Sequence, residues 1–359
     1  MPITSAAHTL LVTGGSGFVG ASVALHWKER HPEHRVLALD NLKRRGSELN
    51  LARLKKAGVE FVHGDVRNPE DLMALPRIDA MVECSAEPSV LAGYGAAARY
   101  VVGTNLIGTV NCLELAARDK ADVVFLSTSR VYPIDAINAL CNETDAGFAI
   151  DPAKAVRGAS AAGIAEEFPL EGVRSLYGAT KLASELLLAE YADMHGLRTV
   201  IDRCGVIAGP WQMGRTDQGF VLLWIARHHW RSALGYTGFG GRGSQVRDVL
   251  HVADLCELVT WQLEHIDRVD GRTFNAGGGP ANSTSLRGFT ALAEEVTGSA
   301  IEVRALDEDR PGDLKLYVTD NARVTEATGW APQRDLHAVF TDAYAWLRAH
   351  EDLLKPVLA

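Results

Sequence analysis

Tyr177 and Lys181 are the two residues whose types and spacing point most directly to chemistry. On a helix, residues four apart lie about 40° apart around the axis and one turn along it, so both side chains can reach one ligand. A tyrosine with an ordinary pKa of about 10 costs roughly 4 kcal/mol to ionise at pH 7. It acts as a base only where a nearby positive charge, such as that of Lys181, stabilises the phenolate. The same spacing also occurs by chance on exposed helices. The pair therefore indicates a catalytic site only in combination with motifs elsewhere in the chain.

Three hydroxyl side chains come where an apolar run ends. Residues 123–127 read as a buried strand, and Ser127, Thr128 and Ser129 stand at its carboxyl end. Open α/β sheets bind their ligands at this edge, where a hydroxyl can orient a reacting alcohol. Thr128 is the preferred candidate, with Ser127 and Ser129 as alternatives. Capping of the following turn would explain all three equally.

The segment 10–20 combines an apolar strand, a glycine-rich turn and the start of a helix. Gly14 permits a tight turn, Gly17 lets a pyrophosphate approach the backbone, and Gly20 lets the helix pack closely on the strand. The segment therefore predicts a dinucleotide site. Its glycine spacing differs by one residue from the G-x-G-x-x-G fingerprint, so a purely structural strand–helix turn is the alternative.

Asp40 ends the second predicted strand, where a carboxylate accepts hydrogen bonds from both ribose hydroxyls and repels a 2′-phosphate. This position favours NAD over NADP. The basic residues 43–45 follow at once; they could meet a 2′-phosphate, although a solvated basic turn is the simpler reading. Asp65 ends the third strand at the height expected for the adenine, or is an ordinary turn residue.

Short apolar runs alternate with longer amphipathic stretches through the first 204 residues. Strands are expected at 9–13, 35–39, 60–62, 80–84, 123–127 and 199–203, with helices up to residue 30 and at 104–118 and 177–195. This alternation predicts an α/β fold with a Rossmann-type doubly wound parallel sheet. Segments 247–252 and 272–275 read as strands that return to that sheet. We divide the chain into an NAD-binding domain (1–204 and 246–278), a smaller mixed α/β substrate lobe (205–245 and 279–334) and a C-terminal helix (335–359).

Composition restricts the class of protein. At 359 residues and 47% hydrophobic, the chain can bury a large core. The net charge of −9 provides no positive field for nucleic acid or an anionic membrane. We expect no membrane span, because no apolar run approaches about 18 residues. Five scattered cysteines suit a reducing compartment, so a cytoplasmic location is expected. No ligand spacing predicts a metal site, although His26, His31 and His34 lie close together.

Taken together, these residues resemble the extended short-chain dehydrogenase/reductase superfamily, the NAD-dependent nucleotide-sugar epimerases and dehydratases. The likeness covers nearly the whole chain and is strongest to the CDP-tyvelose (CDP-paratose) 2-epimerase family, at residues 40–46, 61–68, 217–220, 245–251 and 282–286. The resemblance implies catalysis by Thr128, Tyr177 and Lys181. The residues that it assigns to the cofactor or its loop, beside Tyr177 and Lys181, are Gly14, Gly17, Phe18, Val19, Gly20, Asp40, Asn41, Asp65, Val66 and Asn105. It assigns Ser129, Arg130, Arg247 and Arg310 to the substrate, with the two last on its pyrophosphate.

Departures from the family's sequence motifs restrict the reactions that we expect this protein to catalyse. Ser129 and Arg130 stand where 4,6-dehydratases carry an Asp-Glu pair, which disfavours dehydration and the related decarboxylation. Residues 83–89 differ from the usual His-x-Ala wording, which puts the sugar contacts in doubt. The segment between Thr128 and Tyr177 is longer than expected, and 151–165 is either a lid over the sugar or a mobile loop.

The expected activity is epimerisation of a nucleotide-diphosphate sugar, CDP-sugar favoured, by oxidation to a ketosugar and re-reduction on the other face, with NAD as cofactor. A nucleotide-sugar reductase that consumes NADH is the alternative, and a non-catalytic NAD-binding scaffold is the third. Pairing of subunits into a homodimer or homotetramer through the helices at 105–118 and 177–195 is expected, because they carry more apolar residues than one buried face needs. Deep burial within one subunit is the competing explanation.

Overall fold

The computed structural model describes residues 8–94, 98–214, 219–306, 308 and 310–358. The quoted segment 217–220 therefore lies partly outside it, since Asp217 and Gln218 are not described. The strands are β1 (Thr9–Thr13), β2 (Arg35–Asp40), β3 (Glu60–His63), β4 (Ala80–Glu83), β5 (Asp122–Thr128), β6 (Cys141–Thr144), β7 (Gly147–Ile150), β8 (Ala159–Ser160), β9 (Gly163–Ile164), β10 (Thr199–Cys204), β11 (Val206–Ala208), β12 (Leu234–Thr237), β13 (Val246–His251), β14 (Arg272–Ala276), β15 (Ser283–Ser285), β16 (Val303–Leu306) and β17 (Leu316–Tyr317).

The helices are α1 (Phe18–Arg30), α2 (Leu51–Lys56), α3 (Pro69–Met73), α4 (Ala98–Val102), α5 (Gly108–Asp119), α6 (Ile134–Ala139), α7 (Leu176–His195), α8 (Phe220–His229), α9 (Val252–Glu264), α10 (Ile266–Val269), α11 (Leu286–Thr297), α12 (Ala322–Thr328), α13 (Leu336–Ala349) and α14 (Glu351–Leu358). A π-helical turn, Gly103–Ile107, joins α4 to α5. The C-terminal segment forms two helices, α13 and α14, rather than the one expected at 335–359. They meet at His350, which closes α13 outside helical geometry.

The main sheet has the order β14-β10-β5-β4-β1-β2-β3 among the described strands, and every neighbouring pair in it is parallel. This confirms the predicted Rossmann-type sheet. The chain order reverses at β1, which lies between β2 and β4. The crevice beyond the carboxyl ends of these strands is where such sheets bind ligands.

Both faces of the main sheet are covered, as a parallel sheet requires. Leu10 and Val12 pack on one face against α1 and α9, in a core that includes Trp27 and Leu255. Leu11 points to the other face, into the core formed with α3, α5 and α7. The alternation along β1 therefore places helices on both sides of the site that the sheet edge forms.

A smaller sheet corrects one prediction. Segment 272–275 does return to the main sheet as β14, but 247–252 does not. Its strand β13 pairs with β11, β15 and β17 instead. A short buried strand suits either sheet, and β14 already occupies the edge beside β10. Behind the smaller sheet, α8, α11 and α13 share a second core with Leu222, Phe289 and Phe340.

The long insertion before α7 is packed against the body of the protein. It forms two antiparallel hairpins, β6–β7 and β8–β9. Ile164 is fully buried, and its amide donates to the Val318 carbonyl at 2.8 Å. Glu166 next to it accepts a hydrogen bond from the Asn275 amide at the end of β14. The segment is thus fastened to the carboxyl edge of the main sheet.

Two further features bear on the sequence-based expectations. A search of the described residues for a membrane-crossing helix finds none of sufficient length and apolarity. Within the same residues all five cysteines are unpaired.

Candidate active site

The glycine-rich turn between β1 and α1 has the geometry of an anion cradle. Gly14 takes φ +61°, a left-handed conformation that favours glycine, and its carbonyl accepts the Gly17 amide at 2.9 Å. A Cβ on Gly20 would lie 2.2 Å from the Gly14 carbonyl oxygen, so only glycine lets α1 approach the turn this closely. Phe18 and Val19 open the helix, half-buried. A helix start of this kind offers backbone amides to an anion.

Asp40 closes the cradle from β2. Its carboxylate accepts the Ser16 amide at 3.1 Å and the Leu42 amide at 2.7 Å, which holds it beside the turn. Burial raises the pKa of Asp40, and these backbone hydrogen bonds oppose the rise. A half-buried carboxylate held in place at this strand end is the group that a ribose diol requires.

Asn41, Asp65 and Val66 connect β2 and β3 to the neighbouring helices. Asn41 donates to Asp65 at 2.9 Å. The Arg67 side chain, by hydrogen bonding, lowers the pKa of Asp65 to about 2. Val66 is buried where a Cβ on Gly108 would meet it at 2.7 Å, so α5 packs tightly there. These residues form a rigid wall at the adenosine end of the expected dinucleotide.

The basic run after Asp40 is engaged within the chain. Lys43 Nζ lies 3.6 Å from the centre of the Tyr100 ring. Arg44 donates to the Met213 carbonyl, and Arg45 donates to the Pro356 carbonyl. These contacts attach the run to other segments, while Lys43 and Arg45 remain exposed to solvent.

Tyr177 and Thr128 meet at the carboxyl edge of β5. Ser175 caps α7 by accepting the Gly178 amide, and Tyr177 follows in the first turn, 8% exposed. Burial raises the pKa of Tyr177 to about 12, against the effect of a hydrogen bond with Thr128. Arg130 also lowers it. The structure thus brings the predicted hydroxyl and phenol into contact.

The three hydroxyls at the end of β5 have different partners. Ser127 donates to Glu185 on α7, inside a buried cluster with Arg203, and so turns away from Tyr177. Thr128 Oγ1 accepts the Arg130 amide at 3.2 Å, so it also caps the turn Ser129–Val131. Thr128 therefore caps the turn and also lies beside the phenol, whereas Ser127 is bonded to Glu185.

Lys181 lies one turn beyond Tyr177 and is 1% exposed. Its Nζ lies 3.6 Å from Glu83 Oε2 at the end of β4. It has no hydrogen-bond partner among the described residues, and its neighbour Glu83 ends β4, which pairs with β1 in the main sheet. A buried ammonium group without hydrogen bonds is a donor for a ligand. Together with the glycine cradle, it fits a dinucleotide with hydroxyl groups at this point.

Asn105 holds the loop after β4 in place. Its side chain accepts the Glu87 amide at 2.7 Å and donates to the Glu87 carbonyl and to Thr180 on α7. Asn105 is fully buried in the π-helical turn. Of the two roles expected for it, the structure shows the one that fixes the loop.

Three of the predicted substrate residues gather around residues 310–313. Arg130 donates to the Gly312 carbonyl at 3.0 Å, and loss of solvent lowers the pKa of Arg130 to about 10. Arg247 on β13 donates to Asp313 at 3.0 Å and to the Leu314 carbonyl. Arg310 lines a cavity of about 270 Å³ with Ile134, Asn138, Phe239 and Asp313. The fourth predicted substrate residue, Ser129, is buried in the turn that follows β5.

The sequence missed two residues of the site. In the sequence, Glu83 is a departure from the family's motif, and nothing there indicates that it is the partner of Lys181. Asp313, the partner of Arg247, carries no local signal. The only clue to Glu83 was its place at the carboxyl end of a strand beside the glycine loop.

His31, Glu33 and His34 bring their ligand atoms within 4.8 Å of one another. The two imidazole rings are stacked with an interplanar angle of 12°, so their nitrogen lone pairs run nearly parallel instead of converging on one ion. His31 already bonds Glu264 at 3.0 Å. The prediction that the protein holds no metal stays a prediction.

The parallel sheet and its glycine cradle define a protein of the Rossmann-like dinucleotide-binding class, and comparison with known proteins gives its family. Residues 10–277 match the NAD dependent epimerase/dehydratase family. The chain belongs to that family, and NAD is its cofactor.

Individual relatives cover almost the whole chain. The chain is 30% identical over 350 residues to CDP-paratose 2-epimerase from Salmonella typhi, covering 94% of this chain and 98% of that protein. It is 29% identical to UDP-glucose 4-epimerase from Azospirillum brasilense, covering 97% and 94%. Among solved structures, dTDP-glucose 4,6-dehydratase from Streptomyces venezuelae with NAD bound superposes with a TM-score of 0.78 at 26% identity, covering 97% of this chain and 99% of that one.

Proposed function

We propose that this enzyme is a nucleotide-sugar epimerase that oxidises its substrate to a ketosugar and reduces it again on the opposite face. The observation that carries the proposal is the contact of Thr128 with Tyr177, one helical turn from Lys181, with Ser129 and Arg130 and not an acidic pair directly after Thr128 in the chain. Eliminating water from a ketosugar needs an acid and a base near the lost hydroxyl. Ser129 and Arg130 supply neither, so the site is better equipped for epimerisation than for dehydration.

The residues divide the work as follows. Tyr177 takes the hydroxyl proton of the sugar and later returns it, while Thr128 orients the reacting oxygen. Lys181 holds a positive charge near the phenol, which favours the phenolate. Gly14, Gly17 and Asp40 would hold the pyrophosphate and ribose of NAD. Bound NAD would supply a reversible hydride acceptor for the alcohol carbon.

The substrate that we infer is a CDP-sugar of the paratose/tyvelose type, inverted at C2. The likeness to CDP-paratose 2-epimerase supports the sugar and the base. Arg247 and Arg310 support the diphosphate, because a guanidinium pairs well with phosphate oxygens. The cavity beside Arg310, with Phe239 in its wall, is where the nucleoside would extend from that diphosphate.

The test is a screen of the purified protein with CDP-, UDP-, GDP- and dTDP-sugars, followed by NMR detection of inversion. We expect turnover of the CDP-sugar without added NADH. Stoichiometric consumption of NADH would instead assign a reductase, the alternative that uses the same three residues. Binding of NAD without turnover of any sugar would assign a scaffold.

Isotope incorporation tests the route of the hydrogen. We expect product made in heavy water to carry no solvent deuterium at the inverted carbon, because the hydride leaves and returns without exchange. Deuterium at that carbon, read by NMR or mass spectrometry, would show proton abstraction and remove the redox route.

We also propose that copies associate through α5 and α7. Leu186 and Met194 are 65% and 69% exposed on α7, whereas Leu188 is fully buried within the subunit. Only part of the apolar surplus on this helix is thus used inside one chain. A mass of two or four chains in sedimentation would support the association.

A further inference from the structure

Glu83 and Lys181 form a buried ion pair at the centre of the site. The Lys181 Nζ atom and the Glu83 Oε2 atom lie 3.6 Å apart, and each side chain is 2% exposed. Glu83 is the last residue of β4, and Lys181 lies in the second turn of α7. The pair therefore spans the crevice edge of the sheet, beside the glycine-rich turn.

The surroundings of the pair offer little other compensation for charge. Thr109 Oγ1 lies 3.4 Å from Glu83 Oε2, and Lys181 Nζ lies 4.1 Å from the centre of the Phe125 ring. Glu83 Oε1 and Lys181 Nζ have no hydrogen-bond partner among the described residues. A charged ammonium group out of contact with water needs an opposite charge nearby, and the carboxylate of Glu83 is placed to supply it.

We propose that Glu83 is the counter-ion of Lys181 and a positioning residue for catalysis, which holds the ammonium group at the carboxyl end of β4, beside the glycine-rich turn. The inference rests on the proposed proton transfer by Tyr177 but not on any particular sugar. The proposal assigns a role to Glu83, a residue that the family's sequence motifs do not predict. Glu83 acts through Lys181 and does not touch the reacting atoms.

The negative charge of Glu83 affects the pKa of the Tyr177 phenol. A negative charge favours the protonated form of every neighbouring acid, and Glu83 is one of the groups that raise the pKa of Tyr177. Removing that charge while Lys181 stays protonated therefore makes the Tyr177 proton easier to remove, so the titration of the phenol moves to lower pH. The titratable or hydrogen-bonding groups that face Glu83 are Lys181 and Tyr177 on α7, Thr109 and Cys112 on α5, and Cys84 and Ser85 after β4.

The test is a phenolate titration of the protein saturated with NAD, which needs no sugar substrate. Absorbance at the phenolate band is recorded between neutral and alkaline pH for the native protein and for Glu83→Gln, each against the same protein carrying Tyr177→Phe. We expect Glu83→Gln to increase the phenolate fraction of Tyr177 at a given pH on the order of tenfold. Glu83→Asp keeps the charge and should titrate as the native protein does.

Asp202→Asn is the matched control, because Asp202 is a fully buried carboxyl group in the same sheet, bonded to Gln262 and not to Lys181. It should leave the titration of Tyr177 unchanged. Coincident titrations of Glu83→Gln and the native protein would overturn the proposal. So would an equal shift in Asp202→Asn, which would mark a general effect of buried charge.

If Glu83→Gln folds poorly, unfolding by urea tests the ion pair between Glu83 and Lys181 instead. Paired charges predict that the double variant Glu83→Gln/Lys181→Met unfolds at a higher urea concentration than Glu83→Gln alone, because the orphaned ammonium group is gone. A double variant no more stable than the single one would contradict the pairing. Failure of the sugar screen leaves both measurements intact, so the two proposals can fail separately.

Discussion

At Tyr177, burial and the neighbouring groups Thr128 and Arg130 shift the pKa of the phenol in opposite directions. Burial raises the pKa of the phenol to about 12, whereas Thr128 and Arg130 lower it. A pKa of about 12 corresponds to roughly 7 kcal/mol for ionisation at pH 7. The residue is thus a poor base in isolation, and the proposed proton transfer requires positive charge near the phenol, which Lys181 and an oxidised nicotinamide ring would supply.

Replacement of the phenol tests this role directly. Tyr177→Phe should lower kcat by about 10²-fold to 10⁴-fold, the range typical of a lost acid–base group. It should leave NAD affinity, measured by calorimetry, largely intact. Tyr344→Phe is the control, because Tyr344 lies on α13 beside His229 in the smaller core. Unaltered turnover in Tyr177→Phe would remove the tyrosine from the mechanism.

At the scale of the element, the first turn of α7 sets the position of Tyr177 and Lys181, the proposed catalytic pair. Ser175 caps the helix, and Gly178 lies against the turn that follows Thr128. A Cβ on Gly178 would come 2.0 Å from the Arg130 carbonyl oxygen, closer than atoms can approach. The helix therefore reaches β5 only because this position is glycine, and that contact brings Tyr177 to Thr128.

Gly178→Ala should push the start of α7 away from β5. We expect a loss of stability of about 1–3 kcal/mol, typical of overpacking, together with a fall in kcat larger than the change in NAD affinity. Urea unfolding and steady-state kinetics measure the two effects. Ala189→Ser, on an exposed position of the same helix, should change neither. Native kinetics in Gly178→Ala would show that the close approach does not position the pair.

At the scale of the whole molecule, a buried carboxyl group couples the stability of the main sheet to pH. Asp202 on β10 is fully buried and accepts a hydrogen bond from Gln262 on α9 at 2.8 Å. Burial raises the pKa of Asp202 to about 7. The folded state therefore binds more protons than the unfolded chain between the ordinary pKa of about 3.9 and that value. Its contribution to stability is fully present below pH 4 and is lost as the pH rises through 7.

Asp202→Asn should remove this pH dependence, because the amide keeps the hydrogen bond to Gln262 and cannot ionise. We expect the variant to gain stability relative to the native protein between pH 5 and pH 8, by ~2 kcal/mol. Thermal or urea unfolding at both pH values gives the comparison. The same difference in stability at the two pH values would show that Asp202 titrates normally.

Much of the fold and of the site could be predicted because the signals are local. The strand, turn and helix at 10–20 follow one another directly, so glycine spacing alone indicated the cradle. Tyr177 and Lys181 share one helix, so their spacing placed them on one face. The buried strands of the main sheet are apolar runs between helices, and their bounds agree with the structure to within a residue or two.

The pairing of distant segments was decided only by the tertiary structure. Nothing near Glu83 in the chain indicates that it faces Lys181, and nothing near Arg247 indicates Asp313. The choice of Thr128 over Ser127 depends on Glu185, which lies on another element. Strand β13 joined the smaller sheet although its residues suit either one. Sequence patterns record which face of an element is apolar, whereas the identity of its partner depends on how all the elements pack together.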